Sequence, residues 1–384
     1  MTMRIAVVHP DMTPMGGGEL VLAVALETLA ESRAVTLIAA RPVPWEAIDE
    51  RFGTDLAARG LPCRVPWTGR CRPIVMRHLL MRACRKWRRD FDLFVCTQNE
   101  MDFGVAGIQY MNTTSHGQDV VGRTSVGREI AEFPGPWMRR RISGFRVEGV
   151  LRNRTIVNSA YTGERVRRMY DVPVTVLHPP VPDVPEGAPW ADREDRCAWV
   201  GRIDADKRPE EAIGIVEAVR GRGVPLGLSI FGGPGDEALW RRVRAMAAER
   251  PWCSLEGALP SAELWRRLGR FRYGLNTCEV EGFGIAVAEM AKMGCVVFVP
   301  DSGGQVEIVR EPELRFRSSE EAVARMAAMC RDGAGAASMS GRLARDAARF
   351  SVDAFRRGLL EEAERAARHT PAAARIDSSN RDRT

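Results

Sequence analysis

The chain has 384 residues, 45% of them hydrophobic and 28% charged, with a formal net charge of +6. That length exceeds one ordinary hydrophobic core and predicts two domains, while the composition excludes a fibrous or disordered protein. No window approaches the roughly 18 uncharged apolar residues that a membrane-spanning helix needs, and the opening MTMRIAVVHP reads as a first β-strand rather than a secretory leader, so a cytoplasmic protein is expected. The nine cysteines include no C-x-x-C pair, and several lie in apolar runs, which predicts buried free thiols over metal or disulfide chemistry.

Short β-branched or apolar runs alternate with helical patterns along nearly the whole sequence, as in successive parallel βαβ units. The fold class is therefore α/β. In the first half, residues 3–9, 34–39, 93–97, 154–158 and 174–177 read as strands, and 18–32 as a helix. Between the first strand and helix lies Met15-Gly16-Gly17-Gly18-Glu19, a glycine-rich turn without G-x-G-x-x-G spacing; alone it suits dinucleotide binding or tight packing equally. Basic residues cluster at 70–89 and 139–154. Solvated helix faces are the plain reading, but Met76, Leu79, Leu80 and Trp87 interleave the first cluster and would also suit an anionic membrane or acceptor.

After His178 the run PPVPDVPEGAPWADREDR cannot sustain a helix or a central strand and reads as an interdomain linker. A second alternation follows, with strands at 197–200, 226–231, 253–255, 273–276 and 296–299 and helices at 209–221 and 236–248. The final helix, 352–368, has no strand of its own and is expected to pack back across the linker. The polar tail 370–384 reads as disordered.

Two segments of this half carry chemistry. Gly201-Arg202-Ile203-Asp204-Ala205-Asp206-Lys207 follows a strand directly, where open α/β sheets bind ligands, and its Arg and Lys can converge on a diphosphate. Farther on, a strand ends near Cys278 and runs through Glu281-Gly282-Phe283-Gly284 into a helix. A helix start leaves its first N–H groups unpaired and partially positive, so a diphosphate or a sugar hydroxyl can dock there. Glu281 lies at the loop tip, whereas Glu289 lies one to two turns along the helix, so each can address a different part of one extended ligand.

With seven residues between Glu281 and Glu289 around a Gly-Phe-Gly loop, the sequence resembles the family 4 retaining glycosyltransferases. The run MGCVVFVPDSGGQVEIV and the Gly-Arg-x4-Lys element at Arg202 and Lys207 resemble the same family. Weaker likenesses are Asn158-Ser159-Ala160-Tyr161-Thr162, His178-Pro179-Pro180-Val181 and Phe231-Gly232-Gly233-Pro234, which a helix cap, a rigid turn and a strand exit would explain equally well.

The resemblance implies a GT-B architecture of two Rossmann-like, doubly wound domains facing a central cleft. Residues 1–182 would form the acceptor domain and 192–350 the donor domain. It implies transfer of a hexosyl group from a nucleoside diphosphate sugar to a hydroxyl acceptor, such as a lipid-linked glycan or natural product. Glu281, Arg202 and Lys207 would act in catalysis. Glu289, Gly282, Phe283, Gly284, Ile285, Gly17 and Gly18 would bind the donor.

One departure stands out: Asn112 occupies the place where similar members often carry a histidine in a Gln-Tyr-x-His loop, and His116 is a substitute for the sugar or acceptor contact. No cofactor or metal is expected, because Asp204 and Asp206 sit inside the phosphate loop that Lys207 already serves. Alternatives are a nucleotide-sugar epimerase of the same fold and a noncatalytic nucleotide-binding module. Nucleic acid is not an expected partner, since it would leave the paired glutamates unexplained; peripheral association with an anionic membrane stays open.

Overall fold

A computed structural model describes residues 2–12, 15–66, 73–113, 137, 141 and 143–369. The chain divides into two compact units. The first holds residues up to Asn158, Gly163–Leu177 and those from Arg356 on; the second holds Ser159–Thr162 and His178–Phe355.

In the first unit, the described elements are β1 (Arg4–His9), α1 (Gly17–Ala30), β2 (Ala34–Ala39), α2 (Trp45–Phe52), α3 (Leu56–Arg59), β3 (Cys63–Arg64), α4 (Pro73–Lys86), β4 (Leu93–Cys96), β5 (Ile108–Met111), α5 (Val147–Leu151), β6 (Arg154–Val157), α6 (Ala160–Tyr170, of which Ala160–Thr162 belong to the second unit) and β7 (Val174–Val176). The strands form one parallel sheet in the order β3-β2-β1-β4-β5-β6-β7. Strand β1 is buried along all but its first residue, and α1 is buried from Glu19 to Leu29, as expected for elements covered on both faces.

Two expectations need correction here. The Gln-Tyr segment is not a loop: Ile108–Met111 is a fully buried central strand. Its polar Gln109 is satisfied internally, donating from Nε2 to Val150 O at 3.2 Å and to Thr155 Oγ1 at 3.0 Å. Among the described residues of the first basic cluster, Met76 and Leu80 lie in the core and Trp87 packs against it, so these three form no free apolar face. Two of its cations also turn inward. Arg77 donates to the carbonyls of Gln98 and Glu100 and pairs with the buried Glu100, while Arg85 pairs with the buried Asp102. Arg82, Lys86, Arg88 and Arg89 stay exposed. Among the described residues no helix is long and apolar enough to cross a membrane.

The second unit repeats the plan with β8 (Glu194–Val200), α7 (Pro209–Gly221), β9 (Gly227–Phe231), α8 (Glu237–Ala248), β10 (Cys253–Gly257), α9 (Ser261–Leu268), β11 (Phe271–Leu275), α10 (Ile285–Lys292), β12 (Val296–Pro300), β13 (Arg315–Phe316), α11 (Ser319–Arg331) and α12 (Gly333–Ala347). Its parallel sheet has the order β10-β9-β8-β11-β12-β13. The strand order reverses between β8 and β11, the topological switch point at which doubly wound sheets bind ligands beyond their carboxyl ends.

The last helix, α13 (Val352–His369), belongs from Arg356 onward to the first unit. There Arg154 pairs with Glu362, and Arg356 lies 3.0 Å from Glu27. Residues 178–193 are no free tether: Val181 is in the second core, Lys292 Nζ donates to Val181 O at 2.9 Å, and Arg193 donates to Ala188 O at 2.8 Å and Met293 O at 2.9 Å. The tail 370–384 and His116 lie outside the described residues. Eight cysteines are described and free, six of them buried.

Candidate active site

The loop after β8 and the loop after β11 meet at the switch point of the second unit's sheet. Backbone bonds first zip the β8 loop to the β9 exit: Gly201 N donates to Phe231 O at 2.9 Å, Ile203 N to Gly233 O at 3.0 Å, and Gly235 N to Ile203 O at 3.1 Å. A Cβ on Gly232 would collide with Gly201 O and one on Gly235 with the Asp204 carboxylate. Gly232 and Gly235 thus serve this close approach.

Lys207 ends a short 3-10 turn, and its carbonyl accepts the Thr277 hydroxyl at 2.7 Å. Thr277 follows β11 and in turn accepts the indole N–H of the buried Trp199 at 3.0 Å. This chain of contacts holds the Lys207 backbone against the β11 exit. The result is a direct ion pair between Lys207 Nζ and Glu281 Oε2. Burial works against the Lys207 charge, but the Glu281 carboxylate outweighs it and the ammonium stays above its ordinary range.

Arg202 pairs with Asp204, and Arg208 pairs with Glu211 and Glu279. Arg208 sits in left-handed backbone at φ 52°, a conformation costly for a side chain this large. Each loop cation already has a carboxylate partner, so an anionic ligand has to replace one carboxylate for another.

On either side of Glu281 the loop is pinned by its carbonyls. Gln305 Nε2 donates to Cys278 O at 2.9 Å, Ser302 Oγ to Glu279 O at 2.7 Å, and Gly304 N to Glu281 O at 2.8 Å. The Ser159 hydroxyl donates to Gly282 O at 2.5 Å. Gly284, at φ +99°, then opens α10 with no side-chain cap and no acidic residue in the first turn. That helix start keeps its unpaired donors and partial positive charge for a ligand. Farther along, Glu289 Oε1 accepts the Trp265 indole N–H at 3.3 Å. Among the described residues no three His, Cys, Asp or Glu side chains gather to hold a metal ion, and the Asp204 carboxylate is engaged by Arg202.

Solved structures of similar shape cover nearly the whole chain. The chain matches a glycosyltransferase from Rickettsia africae ESF-5 with a TM-score of 0.65 at 12% identity, covering 96% of this chain and 99% of that one. It matches HepE of Anabaena, solved in complex with UDP-glucose, with a TM-score of 0.68 at 14% identity, covering 94% and 100%. A third match is WaaG, a glycosyltransferase involved in lipopolysaccharide biosynthesis, with a TM-score of 0.64 at 11% identity, covering 96% and 100%. The fold is GT-B. No family model matches the sequence, and no curated protein matches it significantly.

Within this GT-B chain the second unit gathers Arg202, Lys207, Glu281, Gly282, Gly284 and Ile285 at one end of its sheet, with Glu289 along the same helix. Phe283 differs from the expectation in one respect. Its ring is buried against His178 and Phe350, with centroids 5.4 and 5.0 Å away, so only its backbone is free to meet a ligand. Gly17, Gly18 and Asn112 belong to the first unit. Asn112 spends its amide on Thr97 O at 3.2 Å, and its backbone N–H donates to Asn99 Oδ1 at 2.9 Å. The sequence reading missed Thr277, Trp265 and Arg208. Their roles are contacts across long stretches of sequence, and no local pattern signals them.

Proposed function

We propose that this chain is a retaining glycosyltransferase that moves a hexosyl group from a nucleoside diphosphate sugar to a hydroxyl acceptor, with the donor held by the second unit. The observation that carries the reading is the uncapped start of α10, with no acidic residue in its first turn, beside Lys207 and Arg202 at the switch point. The diphosphate takes over the two cations from Glu281 and Asp204, and the freed Glu281 addresses the sugar. Glu289, steadied by Trp265, accepts the ribose hydroxyls. As the bond to the sugar breaks, Arg202, Lys207 and the first N–H groups of α10 stabilise the charge on the departing diphosphate, which itself receives the acceptor proton.

HepE, of the same fold, was solved with UDP-glucose, which supports a nucleotide-sugar donor. Gly17, Gly18 and Asn112 are proposed contacts to donor or acceptor. The acceptor is a lipid-linked glycan or a natural product. No metal is assigned a role, because Lys207 and Arg202 supply the positive charge. The exposed cations at 82, 86, 88 and 89 leave room for electrostatic attraction to an anionic membrane.

The test is a turnover assay with a panel of nucleoside diphosphate sugars and hydroxyl acceptors in excess chelator, with the product anomer read by NMR. Undiminished turnover and a retained anomer are expected. Loss of activity on chelation, an inverted product, or an isomerised donor formed without any acceptor would overturn the assignment.

A further inference from the structure

The pinned carbonyls give Ser159 a job beyond capping a helix. A trans peptide is planar, with its N–H directed opposite its C=O. When Gly304 N–H holds Glu281 O and Ser159 holds Gly282 O, the N–H groups of Gly282 and Phe283 turn away from those partners. They continue the row of unpaired donors that begins α10. Gly304 packs so closely against the Gly282 carbonyl that a Cβ at residue 304 would overlap it.

Ser159 has one proton and two lone pairs. Its lone pair accepts Thr162 N–H at 3.0 Å, which caps α6, and its proton goes to Gly282 O. The Thr162 hydroxyl lies 3.4 Å from the same carbonyl and 3.1 Å from Ser159 Oγ. Both side chains are buried, at 0% and 1% exposure, so water does not compete for the carbonyl. The cap uses only acceptor capacity, whereas the hold on Gly282 uses the proton; a purely structural cap would not need the second contact.

We propose that Ser159, backed by Thr162, is a positioning residue: its hydroxyl fixes the Gly282–Phe283 peptide so that its N–H faces the diphosphate of the donor. This rests on the reading of the 281–284 loop as the diphosphate cradle. The experiment compares wild type, Ser159→Ala and Thr162→Val by calorimetric titration with UDP and UMP, GDP and GMP, and ADP and AMP, after circular dichroism shows each variant folded. The base pair used is the one whose diphosphate binds wild type best.

Ser159→Ala is expected to weaken diphosphate binding about tenfold while monophosphate binding stays within about twofold. Thr162→Val, which keeps the Ser159 cap, is expected to show the same selectivity at about two- to threefold and decides the matter if Ser159→Ala does not fold. If both variants retain the wild-type ratio of diphosphate to monophosphate affinity, or lose both affinities equally, the positioning role is wrong and the donor assignment stands. A wild-type protein with no preference for any diphosphate over its monophosphate would instead overturn the cradle itself.

Discussion

In the first unit a glycine-rich turn runs from β1 into α1, and in the second a glycine-bearing turn runs from β11 into α10; the two treat the helix start in opposite ways. At α1 the Gly16 N–H donates to Glu19 Oε2 at 2.7 Å, and the other Glu19 oxygen lies 3.4 Å from Nε2 of the buried His9. His9 Nδ1 meets Thr97 Oγ1 at 2.8 Å. Burial pushes the Glu19 carboxyl up, but its bonds to His9 and Gly16 outweigh that and hold it below its ordinary range. An acid built into the first turn thus meets the donors and the dipole of α1. At α10 no such acid exists, and the loop carbonyls face the protein instead. Similar topology offers a ligand position at both turns; the first-turn side chain decides whether an anion finds it occupied.

The largest effect that can break this contrast is expected at the second turn. Lys207→Ala and Glu281→Ala should each lower kcat/KM by about 10²–10³-fold, with circular dichroism and melting temperature close to wild type. Wild-type rates in both would erase the asymmetry. Next comes Glu289→Gln, which keeps an oxygen for Trp265 but removes the charge proposed to meet the ribose. The donor KM should rise about tenfold with kcat little changed, as for binding shared by ground and transition states; a fall in kcat alone would move Glu289 to another role.

Gly18→Ala probes the first turn. A Cβ there meets nothing within 4 Å, so thermal unfolding should show a gain of about 0.5 kcal/mol, while a ligand approaching the turn would lower turnover severalfold. Full activity would mean that α1 serves no ligand and would complete the contrast.

The smallest effect concerns pH. Because the Glu19 carboxyl is depressed below its ordinary 4.5, its contribution to stability is present above that value and is lost as pH falls through the folded value; Glu19→Gln should flatten the acid limb of a stability profile. Lys207 runs the other way. Its ammonium is raised above 10.5, so its contribution is full below that value and disappears only in stronger alkali. Identical acid limbs for wild type and Glu19→Gln would show that the acid at α1 is not engaged as described.

Much of the fold was legible because buried parallel strands are written as apolar runs: β1, β2, β4, β9 and β12 follow from Val, Ile, Leu and Phe clusters. Strand β5 was not, since Gln109 interrupts its run and its satisfaction depends on Val150 and Thr155, over 40 residues away. Strands β3 and β13 have two residues each, too few to carry a period. In the site, the Gly-Phe-Gly loop and the Arg202–Lys207 spacing are local and readable. The Ser159 contact with Gly282 spans 123 residues, and the inward turn of Arg77 and Arg85 depends on acids that only tertiary packing brings beneath α4.

The stapling of residues 178–193 to the second core fixes where the chain can be divided. A cut at 192 would strip Val181 from that core and leave the Lys292 ammonium without its carbonyl acceptors, so an autonomous C-terminal fragment has to start by His178. Such a fragment would still lack Ser159 and Thr162, which arrive from an earlier stretch of chain, and its Gly282 carbonyl would lose both hydroxyl partners.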